Sequence, residues 1–342
     1  MKHHTIVEIL GDGISAELSE SVHAVAEVLP LGLEFVEMDL SDTERERVGP
    51  TIYDRAEELM RRHRVAIKYP TATTRESPNK VLRDRCRFAV IHRPVCSIPG
   101  IDTHFTEHLD IDVVRVATGG TYDDAGRRIG PDTAVSLRVI SRGPSKHAAR
   151  FAFKQAMVRG TGVVSTSKWT IQRETDGFFE EIVDQVAEDY PSIEYRRELF
   201  DALLAGLIMH PSRYGVIVTP NEYGDFLSDA ACGLIGSVGI GDSASYAFDD
   251  DGRVELAMFD PAGGSAPDIA GEDIANPCAA LLAMANMLGH IGERDASRAL
   301  REGLMAAVAE GSKTRDIRGE LGTRAFTAEV IERLKARLAA GA

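Results

Sequence analysis

The stretch Tyr214-Gly215-Val216-Ile217-Val218-Thr219-Pro220-Asn221-Glu222-Tyr223-Gly224-Asp225-Phe226-Leu227-Ser228-Asp229 passes from an apolar strand, through a turn, into a helix. Tyr214–Thr219 reads as the strand, and Pro220 with Asn221 marks where it ends. Positions i and i+4 of a helix project from one face, so Asp225 and Asp229 stand side by side. Two adjacent carboxylates repel unless a cation neutralises them. A hard divalent ion such as Mg²⁺ or Mn²⁺ suits them, because it takes oxygen ligands and keeps positions open for substrate. Spacing alone better describes a solvated acidic helix face. The location at a strand end favours a site, since open α/β proteins bind ligands beyond the carboxyl ends of their strands.

Working outward, Thr5–Leu10 reads as a buried strand, Gly11-Asp12-Gly13 as a tight turn and Ser15–Val28 as a helix. Leu33–Leu40 and Val65–Tyr69 read as further strands, the second opening into the Thr-rich loop Pro70–Thr74. Strands alternating with helices argue for an α/β protein with a largely parallel sheet. In the middle, Ala134–Ser141 alternates between turn signals and is expected to form a small β-arm. Ser145–Arg159 and Phe200–Met209 read as helices, and Gly162–Ser167 as a strand. The last third opens with the Gly/Pro/Ala-rich loop Asp260–Gly271, followed by helices over Pro277–Leu288 and Arg294–Ala309. Thr327 is expected to cap a last helix, Ala328–Leu338. The turn Gly11-Asp12-Gly13 lacks the third glycine of the dinucleotide fingerprint and by itself is only a tight turn.

A chain of 342 residues accommodates two domains or one large one. Lys+Arg number 39 against Asp+Glu 53, a formal charge of −14. That balance repels a phosphate backbone at long range, so no nucleic-acid partner is expected. The apolar runs are too short or too interrupted to span a membrane. Cys86, Cys96, Cys232 and Cys278 show no Cys-x-x-Cys spacing. The N-terminal residues run directly into an apolar strand without a signal peptide, and a cytoplasmic location is expected.

Three arginines stand at telling places. Arg83 follows Ser77-Pro78-Asn79-Lys80-Val81-Leu82, Arg93 precedes Pro94, and Arg115 closes an expected strand, Asp112–Val114, just before Ala117-Thr118-Gly119-Gly120-Thr121-Tyr122. Guanidinium groups grip carboxylates with a fork that lysine cannot copy. Three converging would suit a di- or tricarboxylate; each taken singly is also an ordinary surface charge. Lys168 follows the apolar run Val163–Ser167. Burial or nearby cations would lower its pKa and fit it for proton transfer. A strand-end lysine that snorkels into solvent has the same local sequence.

Taken together and in this order, the motifs resemble the β-decarboxylating dehydrogenases, a family that includes isocitrate, 3-isopropylmalate and homoisocitrate dehydrogenases. Gly11-Asp12-Gly13-Ile14 is similar to the family's first turn, and Arg115 through Tyr122 to its Arg-Glu-Leu-Thr-Gly-Gly-Ile-Tyr segment. The most specific match runs from Phe200-Asp201-Ala202-Leu203 to Asn221–Asp229. Gly264–Gly271 with Ile274-Ala275-Asn276-Pro277 is similar to its adenosine loop. The resemblance covers nearly the whole chain. It implies a two-domain isocitrate/isopropylmalate dehydrogenase-like α/β fold with a mixed sheet, not a Rossmann fold. Residues 1–95 and 249–342 would form the large cofactor-binding domain, and 96–248 the small domain with the β-arm and dimer interface.

The same resemblance implies a metal-dependent, NAD-dependent oxidative decarboxylation of a 3-substituted malate. Asp225 and Asp229, with Asp201 of a second copy, would hold Mg²⁺ or Mn²⁺. Lys168, also from that copy, would take the hydroxyl proton, and Tyr122 would protonate the carbon left by CO₂. Arg83, Arg93 and Arg115 would clamp the malate carboxylates, making a homodimer with shared sites the working unit. Ser77 and Asn79 have the Ser-x-Asn spacing by which isocitrate members meet the substituent carboxylate. A hydroxyl and an amide would lose roughly 1–3 kcal/mol each if left unpaired against an isopropyl group. Isocitrate, homoisocitrate or a related analogue is therefore favoured. Val81 and Leu82 could line an apolar pocket, which keeps isopropylmalate open, and tartrate- or malate-type oxidation and a non-catalytic regulatory subunit are further alternatives. Thr73, Gly264, Ser265, Ala266, Asp268, Ile269 and Asn276 would bind the cofactor. A carboxylate at Asp268 accepts hydrogen bonds from a ribose and repels a 2′-phosphate, which favours NAD over NADP. The chain departs from the family pattern at Val116, Trp169 and Gly263, where the family carries an acidic residue, an asparagine and a histidine.

Overall fold

The computed structural model describes residues 2–340. Its strands are β1 (His3–Leu10), β2 (Gly32–Asp39), β3 (Val65–Lys68), β4 (Val90–Cys96), β5 (Asp110–Val116), β6 (Arg127–Ile129), β7 (Thr133–Val135), β8 (Val163–Ser167), β9 (Tyr195–Leu199), β10 (Val216–Thr219), β11 (Asp242–Phe248) and β12 (Val254–Pro261). Ten of them join one sheet in the order β2-β1-β3-β12-β11-β4-β5-β10-β8-β9. Ile6, Val7, Val113, Val114, Val216, Ile217 and Val218 are fully buried. Such continuous β-branched runs belong to strands covered by helices on both faces.

The sheet is mixed and still largely parallel, with six of its nine neighbouring pairs parallel. Three neighbouring pairs at its centre, β12 with β11, β11 with β4 and β4 with β5, are antiparallel. For the first pair the cause is local. Phe248 and Val254 are joined by a turn in which the Asp249 amide donates to the Arg253 carbonyl, and so short a link can only reverse the chain. β3 pairs with β12, so the two ends of the chain are woven into one half of the sheet.

This centre positions the arginines. Arg115 lies inside β5 rather than at its end, and it pairs with Ile91. Arg93 is two residues from Ile91 on β4, so both guanidinium stems leave the same face of the sheet. The helix Asn221–Ile235 packs against that face, with Gly224 lying over the Arg115 stem.

Other boundaries differ from the sequence expectation. Thr327 does not cap the last helix, which runs Thr323–Ala340. Its hydroxyl bonds instead to the Thr323 carbonyl one turn back and to Ser21 Oγ, so a buried side-chain bond mimics a capping residue. The β-arm is the hairpin of β6 and β7, with a separate bridge between Gly120 and Val139; Ser136–Ser141 adds no strand. The strand expected from Tyr214 begins at Val216, and the loop expected from Asp260 begins after Pro261.

A Cβ added at Gly224 would sit 2.6 Å from Arg115 Cβ. Gly→Ala in a helix is ordinarily stabilising, but here the contact must push helix and strand apart. Gly224→Ala should lose about 1–3 kcal/mol. A Tm equal to or above that of the parent protein would show that the close approach carries no such constraint.

Candidate active site

Arg83, Arg93 and Arg115 converge on a cleft of about 510 Å³, which Ser77, Asn79, Tyr122, Asn221 and Asp225 also line. Arg115 is almost wholly buried; its Nε donates to Asn221 Oδ1 at 2.8 Å and its Nη1 to Asp225 Oδ1. Arg93 Nη1 donates to Ser228 Oγ at 2.7 Å and Asp229 Oδ1 at 2.9 Å, and lies 3.4 Å from Asp225 Oδ1. The two aspartates do stand one turn apart on a helix, and Arg93 lies between them. The Nε atoms of Arg83 and Arg93 and the Asn79 Oδ1 are buried without partners. Burial, then Arg93 and Arg83, pulls the Arg115 guanidinium down to about 9, and burial also lowers Arg83. The mutually repelling guanidinium groups, with their unsatisfied N–H donors, form an anion site.

Burial alone would raise the Asp225 carboxyl, but Arg115 and Arg93 outweigh it and hold it below the usual range. Tyr122 donates its hydroxyl to Asp225 Oδ2 at 3.0 Å, and the Arg115 guanidinium lies 5.8 Å from its ring centre. Burial and then Asp225 raise the Tyr122 phenol, so it stays protonated. Ser77 caps the helix Pro78–Arg85, accepting the Lys80 amide, which leaves its hydroxyl proton free to donate. Val81 and Leu82 do not line the cleft; Leu82 is fully buried in a core cluster, and Val81 packs against that cluster. Lys80, which sequence reasoning passed over, reaches Asp84 Oδ2 at 3.1 Å and Asp123 Oδ1 at 3.7 Å across the cleft mouth.

A second cavity of about 200 Å³ shares Asn79, Arg83 and Arg93 with the first and continues along Lys68, Asp260, Gly263 and Gly264. Lys68 and Asp260 were also missed; their signal was a charged residue at the end of an otherwise apolar strand. Lys68 Nζ donates to the Tyr69 carbonyl at 2.8 Å and Thr71 Oγ1 at 3.1 Å, and burial lowers it to about 8. Asp260 Oδ1 is buried without a partner, and burial raises its carboxyl.

The Gly-rich loop beyond this cavity is pinned to the first turn. The Ile14 amide donates to the Ser265 carbonyl at 2.9 Å, and Glu17 accepts the Gly271 and Asp273 amides. Space above Gly263 and Gly264 is open, and Asp268 is exposed. Ala266 has φ +39°, and Ile269 donates its amide to the Ala266 carbonyl. Asn276 bridges Asp316 and the Cys278 amide, and Thr73 lies exposed on the Pro70–Thr74 loop. An open cradle with a free carboxylate and orphaned polar atoms at its inner end fits a dinucleotide.

Lys168 and Asp201 lie apart from the cleft. Lys168 Nζ bonds Asp201 Oδ1 at 2.6 Å, and the lysine side chain is 33% exposed. Within one chain its charged partner is therefore an anion and its burial is incomplete. Behind it lies a network that sequence reasoning also missed. Arg138 Nε donates to Asp176 Oδ1 at 2.7 Å and Nη1 pairs with Glu222 Oε1, while the guanidinium lies 4.8 Å from the Tyr223 ring centre. Asp176 Oδ2 accepts the Lys168 amide at 2.8 Å, and Glu222 Oε1 accepts the Thr121 amide at 3.3 Å. Distant sequence positions meet here, so no local pattern announced them.

Carboxylate oxygens from Asp201, Asp225 and Asp229 are the donor type a hard cation takes. Among the described residues of one chain these three do not assemble; the group that does is Cys96, His108 and Asp110 at the other end of β4 and β5, where Arg159 already holds Asp110.

Convergent guanidinium groups and adjacent carboxylates make an anion-binding cleft at the strand ends, with a Gly-rich loop beside it. The chain belongs to the isocitrate/isopropylmalate dehydrogenase family, whose model matches residues 4–334. It is 34% identical over 338 residues to the 3-isopropylmalate dehydrogenase of Methanothermobacter thermautotrophicus, covering 98% of this chain and 100% of that one. It is also 34% identical over 339 residues to the isocitrate/homoisocitrate dehydrogenase of Thermus thermophilus, covering 97% and 99%. The crystal structure of isocitrate dehydrogenase from Methylococcus capsulatus superposes with a TM-score of 0.89 at 32% identity, over 97% of this chain and 99% of that one. Enzymes of this family depend on NAD(P) and a metal and act on small hydroxy acids. No helix among the described residues is long and apolar enough to cross a membrane.

Lys68 ordinarily titrates near 10.5 and here near 8. Between these values the unfolded chain holds a proton that the folded chain has shed. The contribution of Lys68 to stability therefore rises with pH across the window and is lost as pH falls through about 8. Lys68→Met should flatten the urea-derived stability curve there, and an unaltered slope would count against the assignment.

Proposed function

We propose that the protein catalyses NAD-dependent, metal-dependent oxidative decarboxylation of a 3-substituted malate whose substituent is acidic: isocitrate, homoisocitrate or a related analogue. The observation that carries this reading is the cleft lining. Arg83, Arg93, Ser77 and Asn79 line it, with the Arg83 and Arg93 Nε–H groups buried and unpartnered, while Val81 and Leu82 are turned into or against the core. An isopropyl group there would leave buried polar atoms unpaired.

Arg83, Arg93 and Arg115 bind and orient the malate carboxylates, with Ser77 and Asn79 at the substituent. Asp225 and Asp229, with Asp201 of a second copy, would hold Mg²⁺ or Mn²⁺; the loop from Gly264 to Ile269, with Thr73 and Asn276, would hold NAD. When bound, the dinucleotide accepts the electrons and the ion draws charge from the reacting oxygens. Lys168 Nζ, from the second copy, takes the proton of the C2 hydroxyl. Tyr122 Oη, kept protonated by burial and Asp225, returns a proton to C3 after CO₂ leaves. The exposed Asp268 carboxylate supports NAD over NADP, since it would repel a 2′-phosphate.

A homodimer with shared sites is part of the proposal. The helices that carry Asp201 and Asp225 expose Ile208, Met209 and Phe226, and large exposed apolar side chains mark interaction surfaces. Residues 1–95 and 249–342 form the cofactor half and 96–248 the other half. Four free cysteines suit a cytoplasmic setting.

Two measurements test the reading. With NAD and Mn²⁺, kcat/KM for isocitrate or homoisocitrate should exceed that for isopropylmalate, malate and tartrate by roughly ten-fold or more, with NADH and CO₂ released in equal amounts. A preference for isopropylmalate would overturn the substituent assignment, and NADH without CO₂ would indicate a tartrate-type reaction. Separately, Tyr122→Phe and Lys168→Met should each be inactive as homodimers. Co-expressed, they rebuild one native site per mixed dimer and should recover roughly a quarter of parental turnover. No recovery would rule out sharing.

A further inference from the structure

We infer that Arg138 is a positioning residue that holds Lys168 and Tyr122 in place together and so, on the shared-site reading proposed above, links the two active sites of the dimer. Its guanidinium is the cation between two buried carboxylates: the side chains of Arg138, Asp176 and Glu222 are 10%, 0% and 5% exposed. Each carboxylate also accepts a backbone amide from one functional segment. Asp176 Oδ2 holds the Lys168 amide, and also accepts the Tyr223 hydroxyl at 3.2 Å. Glu222 Oε1 holds the Thr121 amide, next to Tyr122. The fit around Glu222 is close, since Gly120 has φ +68° and a Cβ there would meet Glu222 Oε2.

Without Arg138, two buried carboxylates would lose their shared counter-ion. A buried carboxylate stripped of its partner must take up a proton, admit water or move. Movement releases the amide it grips, and protonation or hydration weakens the hold. Displacements of about 1 Å at reacting groups cost on the order of a hundred-fold in rate. Lysine could supply the charge but not the geometry, because one fork reaches Asp176 through Nε and Glu222 through Nη1. Arg138 does not line the substrate cleft, so substrate affinity should be spared.

In the shared arrangement, Tyr122 of a chain serves one site and Lys168 of the same chain serves the other. Arg138 therefore spans components of both. The test uses the mixed dimer of a Lys168→Met chain and a Tyr122→Phe chain, isolated with two affinity tags, which has one working site. Arg138→Gln placed on the Lys168→Met chain disturbs only the Tyr122 of that site. Placed on the Tyr122→Phe chain, it disturbs only the Lys168. Both placements should lower kcat about ten-fold or more with KM little changed, and Arg138→Lys should restore part of the loss. A loss from only one placement, or kcat preserved in both, overturns the link. A rise in KM with kcat preserved would make Arg138 a binding residue and overturn it too. If the parent mixed dimer is itself inactive, the shared-site reading and the link fall together. Positioning is then judged in the homodimer, where Arg138→Gln, or Arg138→Lys if the first does not fold, must lower kcat and spare KM.

Discussion

A guanidinium group buried in the middle of the sheet organises the site. Arg115 is 2% exposed, and a charge so far from water is tolerated only with close polar partners. Asn221 and Asp225 supply them from the first turns of the facing helix. Gly224 lets that helix come down onto the arginine stem, and Tyr122 lies against the outer side of the guanidinium. One desolvated charge thus sets the height of a helix, the register of its two aspartates and the place of a phenol. Arg93 and Arg83 crowd the same volume, and with Lys80 the cations balance the aspartates that line the cleft, in a chain whose formal charge is −14. The surplus acid lies elsewhere, and local convergence outweighs the global balance.

Much of this was legible in the sequence. The i, i+4 aspartates, the Pro-Asn turn and the run of motifs from Gly11 to Asn276 led to the family, and the helices Phe200–Met209 and Arg294–Ala309 end where they were expected. The three arginines also came together as expected, but the reason was out of reach. It depends on which strands are neighbours, and of the antiparallel pairs at the sheet's centre only β11 with β12 follows from a local turn, at Asp249–Arg253.

What stayed hidden has a common physical character. Lys68, Asp260, Arg138, Asp176 and Glu222 are charged side chains taken out of water, and each is intelligible only beside partners far away in the chain. Sequence periodicity reports which side of an element is apolar; it says nothing about a charge that is buried because another charge waits for it. Thr327 shows the same limit on a smaller scale, where a residue of capping type turned out to bond across to Ser21 from within a longer helix.

The unbroken sheet bears on how the cleft can move. β4 and β11 are hydrogen-bonded to the strands on either side of them, so no flexible linker separates the two halves of the molecule. Any narrowing of the cleft must be absorbed as torsion spread along a continuous ladder, which resists shear but yields to twist. The strands that would carry that twist also carry Arg93 and Arg115, so the mouth of the cleft and its anion grip are mechanically one piece.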